Sequence, residues 1–410
     1  MGETKKSTPQ DIFSKAYAFT TAQEITEMGL HPYFKPLEAT DGTIVEIEGN
    51  RVIMAGSNNY LGLTNDPRVI EAAKQAIDQY GTGCTGSRYM NGTLDIHIEL
   101  EEKLAKFLNK EACVLFSTGY QTNEGSIQTI AGRNDIIFSD RDNHACIVVG
   151  TQCSNAKTVR YRHNDMGQLR QLLEKADPTA GKVIITDGVF SMSGTLAKIP
   201  ELVKLAKEFG ARLYLDDAHA VGVVGDGGRG SASVFGLSDQ VDLISGTFSK
   251  SFASLGGFLV GDHDIIEYIR YHSPAHIFSA SMPPANVATV LKALEILQAE
   301  PWRLHRLEEI AVYMRTELKN MGFNVWTSET PIIPVVIGEM MDCLRFWKDL
   351  FEGGVYANPV VPPAVPQGKS LLRTSYMASH TDDHLNRILE TFRKVGLKHG
   401  IIDQNGHGAE

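Results

Sequence analysis

The chain has 410 residues, 42% of them hydrophobic and 21% charged, enough apolar side chain for a large core and a length that suits two packed domains. Its 49 acidic and 39 basic residues leave a formal net charge of −10, which argues against nucleic acid or an anionic membrane as the main partner while leaving room for a local basic pocket. Five scattered cysteines (Cys84, Cys113, Cys146, Cys153, Cys343) lack Cys-x-x-Cys spacing, so neither a disulfide framework nor a metal site is indicated, and a reducing cytoplasm is the expected compartment. Residues 1–10 are polar, without the apolar region of a signal peptide, and no run of eighteen apolar residues occurs anywhere. Membrane contact is expected to be peripheral at most.

Residues 11–29 carry a helical pattern (Ile12, Tyr17, Phe19, Ile25, Met28) closed by Gly29, which suits an arm laid on another surface. Two strands are expected at 43–48 and 51–55, joined by Gly49-Asn50. Ser57-Asn58-Asn59-Tyr60 reads as a loop with Asx-turn chemistry. An amphipathic helix over 67–80 leads into a glycine-rich loop, 81–92, interrupted by Ser87 and Arg88. Such a loop is either flexible or a place of close backbone approach to a ligand or a second subunit, and Arg88 is a candidate phosphate or CoA contact. Helix returns over 94–108.

From residue 112 strands and helices alternate, with strands at 113–116, 136–138, 158–160, 183–186, 213–215, 243–244 and 258–260. That alternation predicts a mostly parallel, three-layer α/β domain, with ligands beyond the carboxyl ends of its strands. Several polar groups fall there. Ser117-Thr118-Gly119-Tyr120-Gln121 turns from strand to helix, and a helix N-terminus is a ready phosphate site. Asp140-Arg141-Asp142-Asn143-His144 follows the next strand, where a lone histidine by itself reads as solvated or capping. Asp187-Gly188-Val189-Phe190-Ser191-Met192 ends another, and 211–219 ends in Asp216, Asp217 and His219. Gly225-Asp226-Gly227-Gly228-Arg229-Gly230 lacks the Gly-Lys-Ser/Thr ending of a P-loop and is read as a surface turn.

Gly246-Thr247-Phe248-Ser249-Lys250-Ser251 places one lysine among small residues between two buried strands. Desolvation makes such an amine a neutral nucleophile able to form a Schiff base; the alternative is a lysine that snorkels out of a loop. A lysine after one strand, an aspartate ending another and a nearby histidine suit pyridoxal phosphate, whose aldehyde takes a lysine and whose pyridine nitrogen takes a carboxylate partner. Further on, 273–284 ends in Pro283-Pro284 at the start of a long helix. Helical patterning continues to Met321, Gly322 breaks it, and a smaller α+β domain follows, in which the strand 370–375 points one arginine, Arg373. The expected division is 1–65 (arm and small β unit), 66–298 (large α/β domain), 299–402 (C-terminal α+β domain) and 403–410 (a disordered tail).

The ordered set of motifs, Ser57 to Leu63, Gly81 to Arg88, Ser117 to Tyr120, Asp187 to Met192, Asp216 to His219, Gly246 to Lys250 and Leu371 to Arg373, resembles the pyridoxal-phosphate-dependent α-oxoamine synthases over nearly the whole chain. Within that family it is most similar to the soluble bacterial members that use serine. The resemblance implies an aspartate-aminotransferase-like fold (fold type I) and a homodimer with active sites at the subunit interface. It implies decarboxylative condensation of L-serine with a long-chain acyl-CoA such as palmitoyl-CoA to 3-ketodihydrosphingosine, CoA and CO2, the first step of sphingolipid synthesis. Lys250 would hold the cofactor imine and act as acid/base at Cα, Asp216 would pair with the pyridine nitrogen, His144 would stack on the ring and His219 would bond its phenolic oxygen. Gly119, Tyr120, Thr247 and Ser249 would hold the phosphate, joined across the subunit interface by Ser279. Ser191 would contact the ring, and Asn58 and Arg373 would grip the amino-acid carboxylate. Many members carry glutamate where Asp187 stands, which leaves its contacts open.

Three rivals remain beside this reading. A sister synthase would use glycine or alanine with another acyl-CoA. A non-catalytic partner subunit would lack the set Lys250, Asp216, His144 and Arg373, all present here. A nicotinamide dehydrogenase would need Gly-x-Gly-x-x-Gly directly after a strand, which is absent from a suitable place.

Overall fold

A computed structural model describes residues 11–404; residues 1–10 and the expected tail from 405 onward lie outside the described residues. The centre is a seven-stranded sheet in the order Ala112–Phe116, Gly257–Gly261, Leu243–Thr247, Arg212–Asp216, Gly181–Asp187, Asp135–Asp140, Lys157–Tyr161. Six strands run in one direction, five of them paired side by side in parallel; Gly257–Gly261 lies antiparallel to both neighbours, so the sheet is mixed. Its strands are aliphatic runs such as Val183-Ile184-Ile185, buried on both faces, as a sheet covered by helices on each side requires. All seven expected strands occur, each running a residue or more beyond its apolar kernel. The extra residues include the polar Asp187, Asp216 and Thr247.

Local chemistry sets where these elements begin and end. Helix Pro67–Tyr80 starts on Asp66, whose side chain accepts from the Arg68 N–H, with proline at its first turn. Helix Ile199–Phe209 stops at Gly210, in the left-handed conformation (φ 62°), and the chain reverses directly into Arg212–Asp216. Thr118 caps helix Gly119–Ile130 by accepting from the Gln121 N–H, so this helix begins just beyond the end of strand Ala112–Phe116.

The C-terminal part holds a three-stranded antiparallel sheet, Ile332–Gly338, Ser370–Ser375 and Asn358–Val360. The N-terminal strands Ile44–Ile47 and Asn50–Met54 do not stand apart as a unit of their own. Asn50–Met54 pairs in parallel with Val355–Tyr356, and Val45, Ile47 and Val52 share one core with Phe346, Trp347 and Phe392. The expected helix over 11–29 is two short helices, Ser14–Tyr17 and Thr21–Glu27, neither of which buries a residue. Ile12, Phe13, Tyr17 and Phe19 stay exposed, so within one chain the apolar face has nothing to pack on and the pattern does not hold one continuous helix. The 225–230 segment is a turn, folded back so that the Ser231 N–H donates to Asp217.

Candidate active site

Beyond the carboxyl ends of the central strands lies a cavity of about 280 Å³, lined by Gly119, Tyr120, Asn123, His144, Cys146, Asp187, Asp216, His219, Thr247, Ser249 and Lys250 among others. A larger hollow of about 410 Å³ opens at the opposite ends of the strands, lined by apolar residues such as Val183, Leu213 and Leu243. Its rim charges are partly spent, Arg212 on Asp242 at 2.6 Å, and it gathers no nucleophile with a base. The smaller cavity does, and chemistry belongs there.

Lys250 follows strand Leu243–Thr247 and is half-buried at the cavity wall. Burial lowers its pKa; Asp216 and Asp187 oppose that shift, and Arg373 reinforces it. The amine therefore gives up its proton more readily than a surface lysine. Asp216, at the end of its strand and 2% exposed, is held at both oxygens: Oδ2 accepts from Asn123 Nδ2 at 2.6 Å and Oδ1 from the Ala218 N–H at 2.9 Å. Asp217 points the other way, to Ser231, and burial raises its pKa to about 7.

His144 caps the helix Ala145–Cys153. Burial depresses its pKa, with Asp216 opposing and Lys250 adding, which favours a neutral ring. Asp187 accepts from the His144 backbone N–H at 2.7 Å; its own pKa is raised well above the usual carboxylate value, first by burial and then by Asp216. Its contact is thus with the main chain of the histidine. His219 is buried, and burial followed by the charges of Lys250 and Arg373 drives its pKa well down. Its Nδ1 meets the Tyr60 hydroxyl at 2.8 Å.

Arg373, in strand Ser370–Ser375 and 5% exposed, donates to the Ser191 carbonyl at 2.6 Å and to Asn58 Oδ1 at 3.0 Å. A third, long contact reaches Ser375 Oγ at 3.5 Å. All three acceptors are neutral, and among the described residues Arg373 has no carboxylate partner within ion-pair distance. A buried guanidinium without an anion is costly unless an anion arrives.

A family model described as aminotransferase class I and II matches residues 50–392. The chain belongs to that family. It is 49% identical over 377 residues to serine palmitoyltransferase of Sphingobacterium spiritivorum, covering 92% of this chain and 94% of that one. It is 42% identical over 381 residues to 8-amino-7-oxononanoate synthase of Thermoanaerobacter pseudethanolicus, covering 93% and 96%. Among solved structures, a serine palmitoyltransferase variant from S. paucimobilis with bound PLP–myriocin aldimine superposes with a TM-score of 0.93 at 36% identity, over 96% of this chain and 100% of that one. The family fold is therefore the one expected from the motifs, a large mixed sheet with a smaller C-terminal part.

Of the residues singled out from sequence, the cavity brings together Lys250, Asp216, His144, His219, Gly119, Tyr120, Thr247 and Ser249, and Asn58 meets Arg373 beside it. Ser191 is outside the lining, and its carbonyl takes the Arg373 Nε–H. Ser279 accepts from Gln121 of its own chain at 3.1 Å, near the start of helix Gly119–Ile130 but outside the cavity lining. Arg88 is not at the cavity: its guanidinium forks onto Glu101 at 2.8 and 3.1 Å, with both side chains nearly buried. The expected role as a phosphate or CoA contact fails because that charge is already neutralised. Asn123, Cys146 and Tyr60 were not assigned roles from sequence; Asn123 sits inside a helix with no motif around it, and Tyr60 was visible only as part of a loop.

Proposed function

We propose that the chain binds pyridoxal 5'-phosphate and, as a homodimer, condenses L-serine with a long-chain acyl-CoA such as palmitoyl-CoA, releasing CO2 and CoA to give 3-ketodihydrosphingosine. The observation that carries this reading is the buried, unpaired guanidinium of Arg373 beside a cavity holding Lys250 and Asp216, on a chain that is 49% identical to a serine palmitoyltransferase. The cavity suits the cofactor. A helix leaves its first N–H groups without intrahelical partners, and those of Gly119 and Tyr120 open it next to the Thr247 and Ser249 hydroxyls, themselves 2.9 Å apart. A Cβ at Gly119 would come within 2.5 Å of Thr247 Cβ, so only glycine lets the helix start draw this close.

When bound, the cofactor supplies an aldehyde that condenses with amines and a ring that takes up electrons released at the amino-acid Cα. Lys250 provides the amine that holds it and then moves the proton at Cα. Asp216 holds a proton on the ring nitrogen. His144 would cover one face of the ring, and His219, its Nδ1 turned to Tyr60, would offer its other nitrogen to the phenolic oxygen. Arg373 takes the serine carboxylate in a two-point grip with Asn58 alongside, which orients the bond to be broken. Ser279 of one chain would reach the phosphate site of the other.

Incubating the purified protein with PLP, palmitoyl-CoA and each of serine, glycine and alanine, and following free CoA, tests the reading. Release with serine well above the others is expected. The 42% identity to an 8-amino-7-oxononanoate synthase supports one second reading, a sister synthase, and preferential turnover of another amino acid with another acyl-CoA would favour it over the first.

A further inference from the structure

Asn123 is 2% exposed and lies in the helix Gly119–Ile130. Its amide is used at both ends. Oδ1 accepts from the Tyr214 hydroxyl at 2.8 Å and the Ser245 hydroxyl at 2.9 Å; Nδ2 donates to Asp216 Oδ2 at 2.6 Å and to Cys146 Sγ at 3.1 Å. Turned over, the amide would set its oxygen against a carboxylate oxygen at 2.6 Å with no proton between them. Its orientation is therefore determined, and with it the direction of the four hydrogen bonds the amide makes.

We propose that Asn123 is a positioning residue for the cofactor site, anchored by Tyr214 and Ser245, which fixes the plane of the Asp216 carboxylate and, through Cys146, the orientation of the His144 ring. Among the described residues the Ala218 N–H holds one oxygen of Asp216, and Asn123 Nδ2, with a long contact from the Cys146 thiol at 3.8 Å, addresses the other. The sulfur of Cys146 accepts from Asn123 at 3.1 Å and lies 2.8 Å from His144 Nδ1. The Cys146 backbone N–H donates to the same nitrogen at 3.3 Å. Nδ1 is thus an acceptor, and the ring proton sits on Nε2. Two hydroxyls on neighbouring strands thereby set the geometry of the partner for the ring nitrogen and of the ring that stacks on it.

The inference rests on the proposed cofactor, so its test reads cofactor binding and a property of the cofactor-free protein as well as turnover. Asn123→Leu keeps the volume and removes the donor. It is expected to raise the dissociation constant for PLP by about ten- to a hundredfold and to lower kcat, while KM for serine stays within about twofold because Arg373 and Asn58 are untouched. The double variant Tyr214→Phe, Ser245→Ala keeps the amide and deletes only its anchors; it should shift PLP affinity in the same direction by about three- to tenfold. Nitrogen NMR of the cofactor-free protein, with His144 assigned by comparison with His144→Gln, should find the proton on Nε2. Wild-type affinity for PLP in the double variant, or a proton on Nδ1, overturns the proposal, and the double variant decides alone if Asn123→Leu does not fold. Normal PLP binding and the expected variant effects with no product from serine would instead sink the proposed activity and leave the role of Asn123 standing.

Discussion

Arg88 and Arg373 are both arginines with buried side chains, each set among polar neighbours, and they teach opposite lessons. Arg88 spends its charge: Glu101 takes two of its nitrogens, the Thr93 hydroxyl a third, and Arg270 crowds the same carboxylate at 3.3 Å. Among the described residues Arg373 reaches a carbonyl, an amide oxygen and hydroxyl groups but no carboxylate. Burial alone therefore does not mark a working group; burial with an unspent charge does. The same contrast separates two adjacent carboxylates, Asp216 facing the cavity and Asp217 closed off by Ser231.

The sharpest break would come from Lys250→Ala, which should abolish turnover and the visible absorption of the lysine-bound cofactor while the protein stays folded by circular dichroism. Persisting product would remove Lys250 from its role. Arg88→Ala should act on stability instead, costing about 1.5–3 kcal/mol in denaturant unfolding because it takes the two-nitrogen fork from the buried Glu101 carboxylate, which keeps only Arg270 and the Leu115 N–H among the described residues. If Arg88→Ala unfolds like wild type but binds acyl-CoA poorly, the two arginines are not opposites after all. Asp216→Asn should slow exchange of the serine α-proton by roughly a hundred- to a thousandfold, since it removes a full charge from the ring nitrogen's partner. Arg373→Ala should bind PLP as before and need about ten- to a hundredfold more serine to change the cofactor spectrum, with only partial rescue by Arg373→Lys, whose point charge cannot fork.

The smallest effect concerns Asp217. Its folded pKa of about 7 stands above the ordinary carboxylate value, so the folded state keeps a proton that the unfolded chain releases above about pH 4. The stability this confers is complete below that pH and is lost as pH rises through about 7. Unfolding free energies measured from pH 4 to 8 should show wild type losing ground to Asp217→Asn as pH rises. A pH-independent difference would mean that Asp217 is ionised in the fold.

Much of this architecture was legible because apolar runs and glycine turns report on neighbours close in sequence. Strand kernels and the helix Pro67–Tyr80 fall where the pattern puts them, and the cavity residues follow from polar groups at strand ends. What sequence hid was pairing at a distance. Arg88 in a glycine-rich loop looks like an anion ligand until Glu101 on the following helix is seen beside it. Asn123 looks like a surface amide until Tyr214 and Ser245, on two other strands, close on its oxygen. The parallel pairing of Asn50–Met54 with Val355–Tyr356 joins segments that no local signal connects.

That last pairing also imposes an order of events on a chain emerging from the ribosome. The residues around the cavity run from Thr118 to Leu255, and the last strand of the central sheet ends at Gly261. Asn58 and Arg373 lie 315 residues apart and meet only when the final strands have been made and have captured the segment that was synthesised first. Synthesis from the N-terminus thus delivers the cofactor cradle well before the carboxylate grip, and Asn50–Met54 must wait for a parallel partner, Val355–Tyr356, that is made near the end. A truncated nascent chain would carry the parts to hold a reactive aldehyde and only Asn58 of the pair that chooses its amino acid.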